Sequence, residues 1–365
     1  MQNRQTQKGS RPGTPQKPYQ AQYHRRSTAG GVAAVLIMMI CVSLCLLVVK
    51  SVDWDLFFAD GTRRPFENEE NQAYGPDLTA TERDAYITQY ITVKAEDVHK
   101  GSCILVNNTH EYRFPSEEET DATILSVFRN KTYGYKVKSG KEYLHTDAID
   151  ALNAMMDDFY ASSGSRDIMV NSAYRTKEDQ QVAYDDYVKK GGVAYADAYV
   201  QKPGYSEHHT GYAVDFAVYE EYEDGKSAIW AFDGQGKYFW INKNCTQYGY
   251  ILRYSASKED VTGISYESWH FRYIGRAHAI ASSELGLALE EYISYVKDYR
   301  YEDTKYYTRA NDGAEYCIYF VPANGQATQQ IPVPRNALSY DISGNNEDGF
   351  IVSALVGYGE ALQEG

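Results

Sequence analysis

Residues 30–49, from Gly30 to Val49, run without a single charged side chain, and a helix that crosses a bilayer needs about 20 such residues. No other stretch of the chain is apolar for as long. The chain therefore crosses a membrane at most once, and the rest has to fold in water. A buried core helix does not account for the segment, because such a helix keeps a polar face. Arg4, Lys8, Arg11, Lys17, Arg25 and Arg26 precede it with no acidic residue among them, whereas Asp53 and Asp55 follow it. That asymmetry predicts a cytoplasmic N-terminus and an exported body. The apolar run is longer than the core of a cleaved signal peptide, and no small-residue cleavage site is evident before Lys50-Ser51-Val52-Asp53, so the segment is expected to persist as a signal anchor.

Charge then narrows the partners. Of 36 basic and 50 acidic residues, six basic ones lie in the first 29 positions, which leaves the remainder at −20. A surface so acidic argues against nucleic acid. Cys103, Cys245 and Cys317 lie outside the apolar run at unrelated spacings with no CxxC pair. One disulfide with a free thiol, or three buried thiols, both fit.

Residues 1–29, rich in Gln, Arg, Gly, Pro and Ser, read as a disordered cytoplasmic tail. Residues 50–83, with Asp60-Gly61, Arg64-Pro65 and Gly75-Pro76, read as an extracellular linker. A folded domain is expected over 84–296. Within it Cys103–Val106 predicts a buried strand, and Thr146 is placed as N-cap of a helix over 147–160 whose Ile149, Leu152, Met156 and Phe159 form one apolar stripe. Ile168–Val170 predicts a short strand delivering Asn171–Arg175 to its end. Helices are expected over 177–189, 239–248 and 276–295, and a strand over 213–218. Past Tyr301, β-prone runs separated by Asn-Gly, Pro and Ser-Gly-Asn-Asn turns predict a small β-rich domain over 297–365.

The chemistry concentrates in two polar segments, Gly204–Asp215 and Tyr266–Tyr273. A catalytic zinc commonly has three protein ligands and an open fourth position, and His208, Asp215 and His270 supply such a set. On a continuous strand, residues seven apart face opposite sides. The turn signal Thr210-Gly211 lets the chain reverse, so that His208 and Asp215 can point at one metal. Glu267, three residues before His270, is close enough to act as general base toward a water acidified by the metal. Arg175 can share the charge of a tetrahedral oxyanion. A lone histidine in a turn is more often structural; the combined spacing is what favours a metal. His209 is expected to point away from it.

Ser206-x-His208-x-x-Gly211-x-Ala213-x-Asp215, followed by Glu267-x-Trp269-His270, resembles the paired signature of the LAS zinc metallopeptidases, and within them the VanY-type D-alanyl-D-alanine carboxypeptidases. Ser172-Ala173-Tyr174-Arg175-Thr176 with Gln180, and Phe271–Gly275 after the last histidine, are similar to further family segments. The resemblance implies an α+β domain with a small antiparallel sheet and flanking helices, a Zn2+ cofactor on His208, Asp215 and His270, and Glu267 as base. It also implies Arg175, Gln180 and Ser206 on the substrate side. The expected substrates are peptidoglycan stem peptides that lose a terminal D-alanine outside the cell. L,D-carboxypeptidase, dipeptidase and non-catalytic wall-binding readings stay open. Arg175, Arg253 and Arg272 are all candidates for the cation that meets a substrate carboxylate. Ser268, where proline is common, predicts a looser turn.

Overall fold

The computed structural model describes residues 88–115 and 123–362. The expected tail (1–29), signal anchor (30–49) and linker (50–83) lie outside the described residues. Among the described residues, no helix is long and apolar enough to cross a membrane.

The chain enters through β1 (Thr88–Lys94) and continues through β2 (Ile124–Ser126), β3 (Lys136–Val137) and β4 (Tyr143–His145). The long helix α1 (Thr146–Ser163) follows, then β5 (Ile168–Ser172), α2 (Lys177–Gly191) and α3 (Val193–Tyr199). The hairpin β6 (Ala213–Glu221) and β7 (Ser227–Ala231) leads to β8 (Tyr250–Leu252), β9 (His270–Tyr273), α4 (Arg276–Glu284) and α5 (Leu289–Val296). Five strands complete the chain: β10 (Tyr306–Arg309), β11 (Ala314–Pro322), β12 (Thr328–Pro334), β13 (Ser339–Gly344) and β14 (Gly349–Tyr358).

The fold is α+β. Its central sheet has the order β3-β5-β6-β9-β8, with β7 on the far part of β6. The sheet is mixed rather than wholly antiparallel, because β3 pairs with β5 in parallel; parallel neighbours need a long crossover, and α1 provides it. One face of this sheet packs on α1. Ile149, Leu152, Met155, Met156 and Phe159 of the helix meet Ile168, Val170, Val214, Phe216 and Phe271 in a single core. Each such side chain, fully buried, contributes about 1.5–3 kcal/mol. Because strand side chains alternate, Val214 and Phe216 facing α1 leave Asp215 on the opposite face, and Phe271 facing α1 leaves His270 and Arg272 there.

The C-terminal strands form an antiparallel sheet of order β10-β11-β14-β13, and β12 pairs antiparallel with β1 across more than two hundred residues. Cys317 and Tyr319 pack toward Ile331 and Val333, while Ile318 and Phe320 pack toward Ile274, Leu289 and Ile293. Both faces of β11 are thus buried, which explains its unbroken apolar run. This β-rich part shares a core with α5.

Several local expectations change. Residues 103–106 are buried but form no strand. Their polar groups are taken elsewhere: the Leu105 N–H by the Asn345 carbonyl, the Cys103 N–H by Ser343 Oγ, and the Ile104 carbonyl by Arg272. Thr146 lies inside α1, with His145 at the cap and no side-chain cap bond. The helix expected over 276–295 breaks into α4 and α5 around Gly286, whose φ is +63°, and the one expected over 239–248 becomes a short helix and a 3-10 turn. Cys103, Cys245 and Cys317 are free and buried.

Candidate metal centre and active site

Three neighbouring strands build the floor of the site. Asp215 of β6 lies directly opposite His270 of β9 and, on its other side, opposite Ser172 of β5, and cross-strand partners share a face. An irregularity between Val170 and Ser172 shifts the register of β5. That extra residue turns Ser172, otherwise destined for the α1 core, onto the Asp215 side.

His208 arrives from a 3-10 turn, Glu207–Thr210, which ends at Gly211 with φ +71°. A Cβ there would lie 3.1 Å from the His145 ring and 3.2 Å from the Ile124 side chain, so both conformation and space require glycine. This reversal brings His208 beside Asp215 despite their spacing of seven. One ligand atom each from His208, Asp215 and His270 lies within 4.8 Å of the others, and all three residues are buried.

The hydrogen bonds set the tautomers. His208 Nδ1 stands 2.6 Å from the Ala173 carbonyl oxygen, which can only accept, so Nδ1 carries the proton and Nε2 presents its lone pair. Burial, with Arg175 adding, pushes His208 down to about 4 and keeps it neutral. His270 Nδ1 donates to Asp215 Oδ1 at 2.9 Å. Burial opposes the His270 charge, but hydrogen bonds to Asp215 and Glu207 lift it to about 9. Burial likewise opposes the Asp215 charge, yet the His270 imidazole, donating through Nδ1, holds its carboxyl well below the usual range. Two imidazole nitrogens and a carboxylate, buried and convergent, form a donor set suited to a divalent ion such as zinc; an ion held there would take the place of the proton on His270 Nδ1.

Glu267 sits at the rim of this cluster, Oε2 lying 3.9 Å from His270 Nδ1. Burial pushes its carboxyl up to about 8, Asp215 and Glu207 adding to the shift while His270 and Arg175 oppose it. The Ser268 turn is not loose, because Ser268 Oγ donates to the Phe232 carbonyl at 2.6 Å.

The Arg175 guanidinium is held by three side chains. Nε donates to Ser172 Oγ (3.0 Å), Nη1 to Gln180 Oε1 (3.0 Å) and Nη2 to Asp215 Oδ2 (2.8 Å). Gln180 in turn donates to the Gln201 carbonyl at 2.7 Å. Ser206 caps the His208 turn, its Oγ 3.4 Å from the His208 N–H. Arg175, Gln180 and Ser206 line one cleft with the His-Asp-His cluster and Glu267, closed on the apolar side by Tyr187, Tyr199 and Trp269. Arg253 and Arg272 do not line it; both are buried behind His270 and paired with Glu207. Of the three candidate cations, Arg175 alone reaches the cleft. His209 turns away, its ring held by the Arg175 carbonyl and the Gly204 N–H.

The VanY D-alanyl-D-alanine carboxypeptidase family model matches residues 141–276. A D-alanyl-D-alanine carboxypeptidase of Enterococcus faecium is 32% identical over 270 residues, covering 74% of this chain and 80% of that one. The chain belongs to the VanY family of D-alanyl-D-alanine carboxypeptidases. Another relative, the bifunctional D-Ala-D-Ala dipeptidase and D-Ala-D-Ala carboxypeptidase VanXYC of Enterococcus gallinarum, is 35% identical over 136 residues, covering 37% of this chain and 71% of its own. The crystal structure of the vancomycin resistance D,D-dipeptidase VanXYg, in complex with a D-Ala-D-Ala phosphinate analogue, superposes with a TM-score of 0.62 and 30% identity, covering 73% of this chain and 99% of that one.

Two residues of this VanY-family site carry no local signal. Glu207 stands between Ser206 and His208, and its partners Arg253 and Arg272 lie 46 and 65 positions away. Gln201 lines the cleft, and its side-chain amide has no hydrogen-bond partner among the described residues.

Proposed function

We propose that this VanY-family enzyme is a membrane-anchored, extracellular zinc carboxypeptidase that removes the terminal D-alanine from peptidoglycan stem peptides. The observation that carries the reading is the convergence of His208, Asp215 and His270, with the Glu267 carboxyl 3.9 Å from one ligand atom and Arg175 on the other side. Held by these three side chains, zinc would act as a Lewis acid and acidify water to near neutral pH.

The chain's own residues do the rest. Glu267, its carboxyl 3.9 Å from His270 Nδ1, takes the proton of the attacking water and returns it to the leaving amine. Arg175 turns its fork toward the developing oxyanion or the substrate carboxylate, and Gln180 and Ser172 hold it in orientation. Ser206, at the cap of the His208 turn, faces the substrate. Tyr187, Tyr199 and Trp269 exclude water from one side. The relatives act as carboxypeptidases, dipeptidases or both, and that choice depends on the walls of the cleft rather than the metal centre. Residues 30–49 would hold the enzyme at the membrane with the site outside, where such peptides lie.

The test uses full-length protein with synthetic penta- and tetrapeptide stems and free D-Ala-D-Ala, products being weighed by mass spectrometry and zinc measured in parallel. Loss of one alanine from the pentapeptide, abolished by a chelator and restored by zinc, is expected. Glu267→Ala is expected to keep its zinc and lose at least 100-fold in kcat, on the order general acid-base catalysis provides. Full turnover by that variant refutes the base; cleavage of the free dipeptide alone replaces carboxypeptidase by dipeptidase.

A further inference from the structure

Behind the metal cluster lies a second charged group that the reaction does not use directly. His270 and Arg272, two apart on β9, project from the same face of that strand. Glu207 reaches them from the 3-10 turn, and Arg253 comes from just beyond β8, its N–H donating to the His270 carbonyl. The two oxygens of Glu207 divide their work. Oε1 accepts from Arg253 Nε at 2.8 Å and lies 3.3 Å from Arg272 Nη1. Oε2 faces His270 Nε2 at 3.4 Å, a long contact but the one hydrogen bond found for that nitrogen among the described residues. Arg253 also forks onto Glu290 at 2.6 and 2.9 Å, and Arg272 donates to the Ser102 and Ile104 carbonyls. The side chains of Glu207, Arg253 and Arg272 have no exposed surface.

Burying two guanidiniums and a carboxylate is a poor route to stability, since apolar side chains of similar volume often do as well. The arrangement is better explained by what it does to His270. A histidine that binds a metal through one nitrogen is oriented by the group that accepts from the other, and a carboxylate in that role makes the ligand more basic.

We propose that Glu207, clamped by Arg253 and Arg272, is a positioning residue that fixes the His270 ring with the proton on Nε2 and Nδ1 directed at Asp215 and the metal. The inference rests on the reading that His208, Asp215 and His270 bind zinc. On the opposite side of the cluster the Ala173 carbonyl does the equivalent for His208 through Nδ1, so each imidazole has a built tautomer and the two present different nitrogens to one point.

The experiment measures zinc affinity of the full-length protein by competition with a fluorescent chelator, comparing the natural chain with Glu207→Gln. The variant is expected to bind zinc roughly 10- to 100-fold more weakly with an unchanged far-ultraviolet spectrum. The visible spectrum of its cobalt(II) form is also expected to shift. Affinity within twofold and an unchanged cobalt spectrum would overturn the proposal. Should the variant fail to fold, imidazole 15N NMR of the zinc-loaded natural protein decides, with His270 assigned by loss of its signals in His270→Asn. A proton on Nε2 supports the assignment and a proton on Nδ1 overturns it. A natural protein that binds no zinc defeats the metal reading itself, a result distinct from either of these.

Discussion

Replacing Arg253 by methionine is the most informative test of how the back of the site is held together. Methionine keeps much of the stem volume and removes the guanidinium. Glu207, with no exposed side-chain surface, then loses its 2.8 Å partner, and Glu290, 15% exposed, loses two bonds. Removing one member of a buried pair costs about 3–5 kcal/mol, because a charge is left without compensation. Two observations point to the lower end. Arg272 remains 3.3 Å from Glu207, and Asn107 Nδ2 still donates to Glu290 at 3.1 Å. The expected loss is therefore about 3 kcal/mol, equivalent to roughly 5 °C in Tm for a unit of this size. Urea unfolding of the metal-free protein, with midpoint and slope fitted together, measures it. The double variant Glu207→Leu, Arg253→Met should recover part of the loss, since both buried charges leave together and the two sites are coupled. A loss below about 1 kcal/mol for the single variant, with unchanged slope, refutes the argument that burial makes this ion pair indispensable to its partners.

Two further outcomes follow from the same contacts. Arg175→Lys cannot reproduce the fork to Ser172, Gln180 and Asp215, so kcat/KM should fall by about 10²–10³ with zinc content unchanged; a change below fivefold in peptide turnover would show that the fork plays no part. Burial works against the Glu207 charge, but Arg253 and Arg272 hold its carboxyl well below the ordinary value of 4.5. Its folded-state value being depressed, its contribution is complete above the unfolded value and lost as pH falls toward the folded one. Unfolding free energy measured between about pH 5 and pH 3 should therefore drop more steeply in the natural protein than in Arg253→Met, and parallel curves would contradict this.

The residues around the metal cluster were legible because each of their segments is short and self-contained. A polar Gly204–Asp215 segment with a turn signal at Thr210-Gly211 carries its own geometry, and the 3-10 turn with Gly211 at positive φ realises it. Likewise the stripe of α1 and the left-handed Gly164 after it follow from helix periodicity and capping within a few residues. Residues 103–106 misled for the opposite reason. Their composition suits a buried strand, and they are buried, but a strand also needs a neighbour. Their backbone groups are instead engaged by Ser343, Asn345 and Arg272, 168 or more positions away.

From the sequence alone came the residue types able to bind a metal and the reversal that lets His208 and Asp215 meet, both governed by residue chemistry and turn signals over spans of a few residues, while the α+β class came through the family resemblance. Tertiary structure decided which arginine faces the cleft, what stands behind His270, and that β1 closes against β12. Those outcomes depend on sheet register and on the bulge in β5, where a shift of one residue sends a side chain to the other face. No local pattern encodes that shift, because it is fixed by the packing of both faces at once.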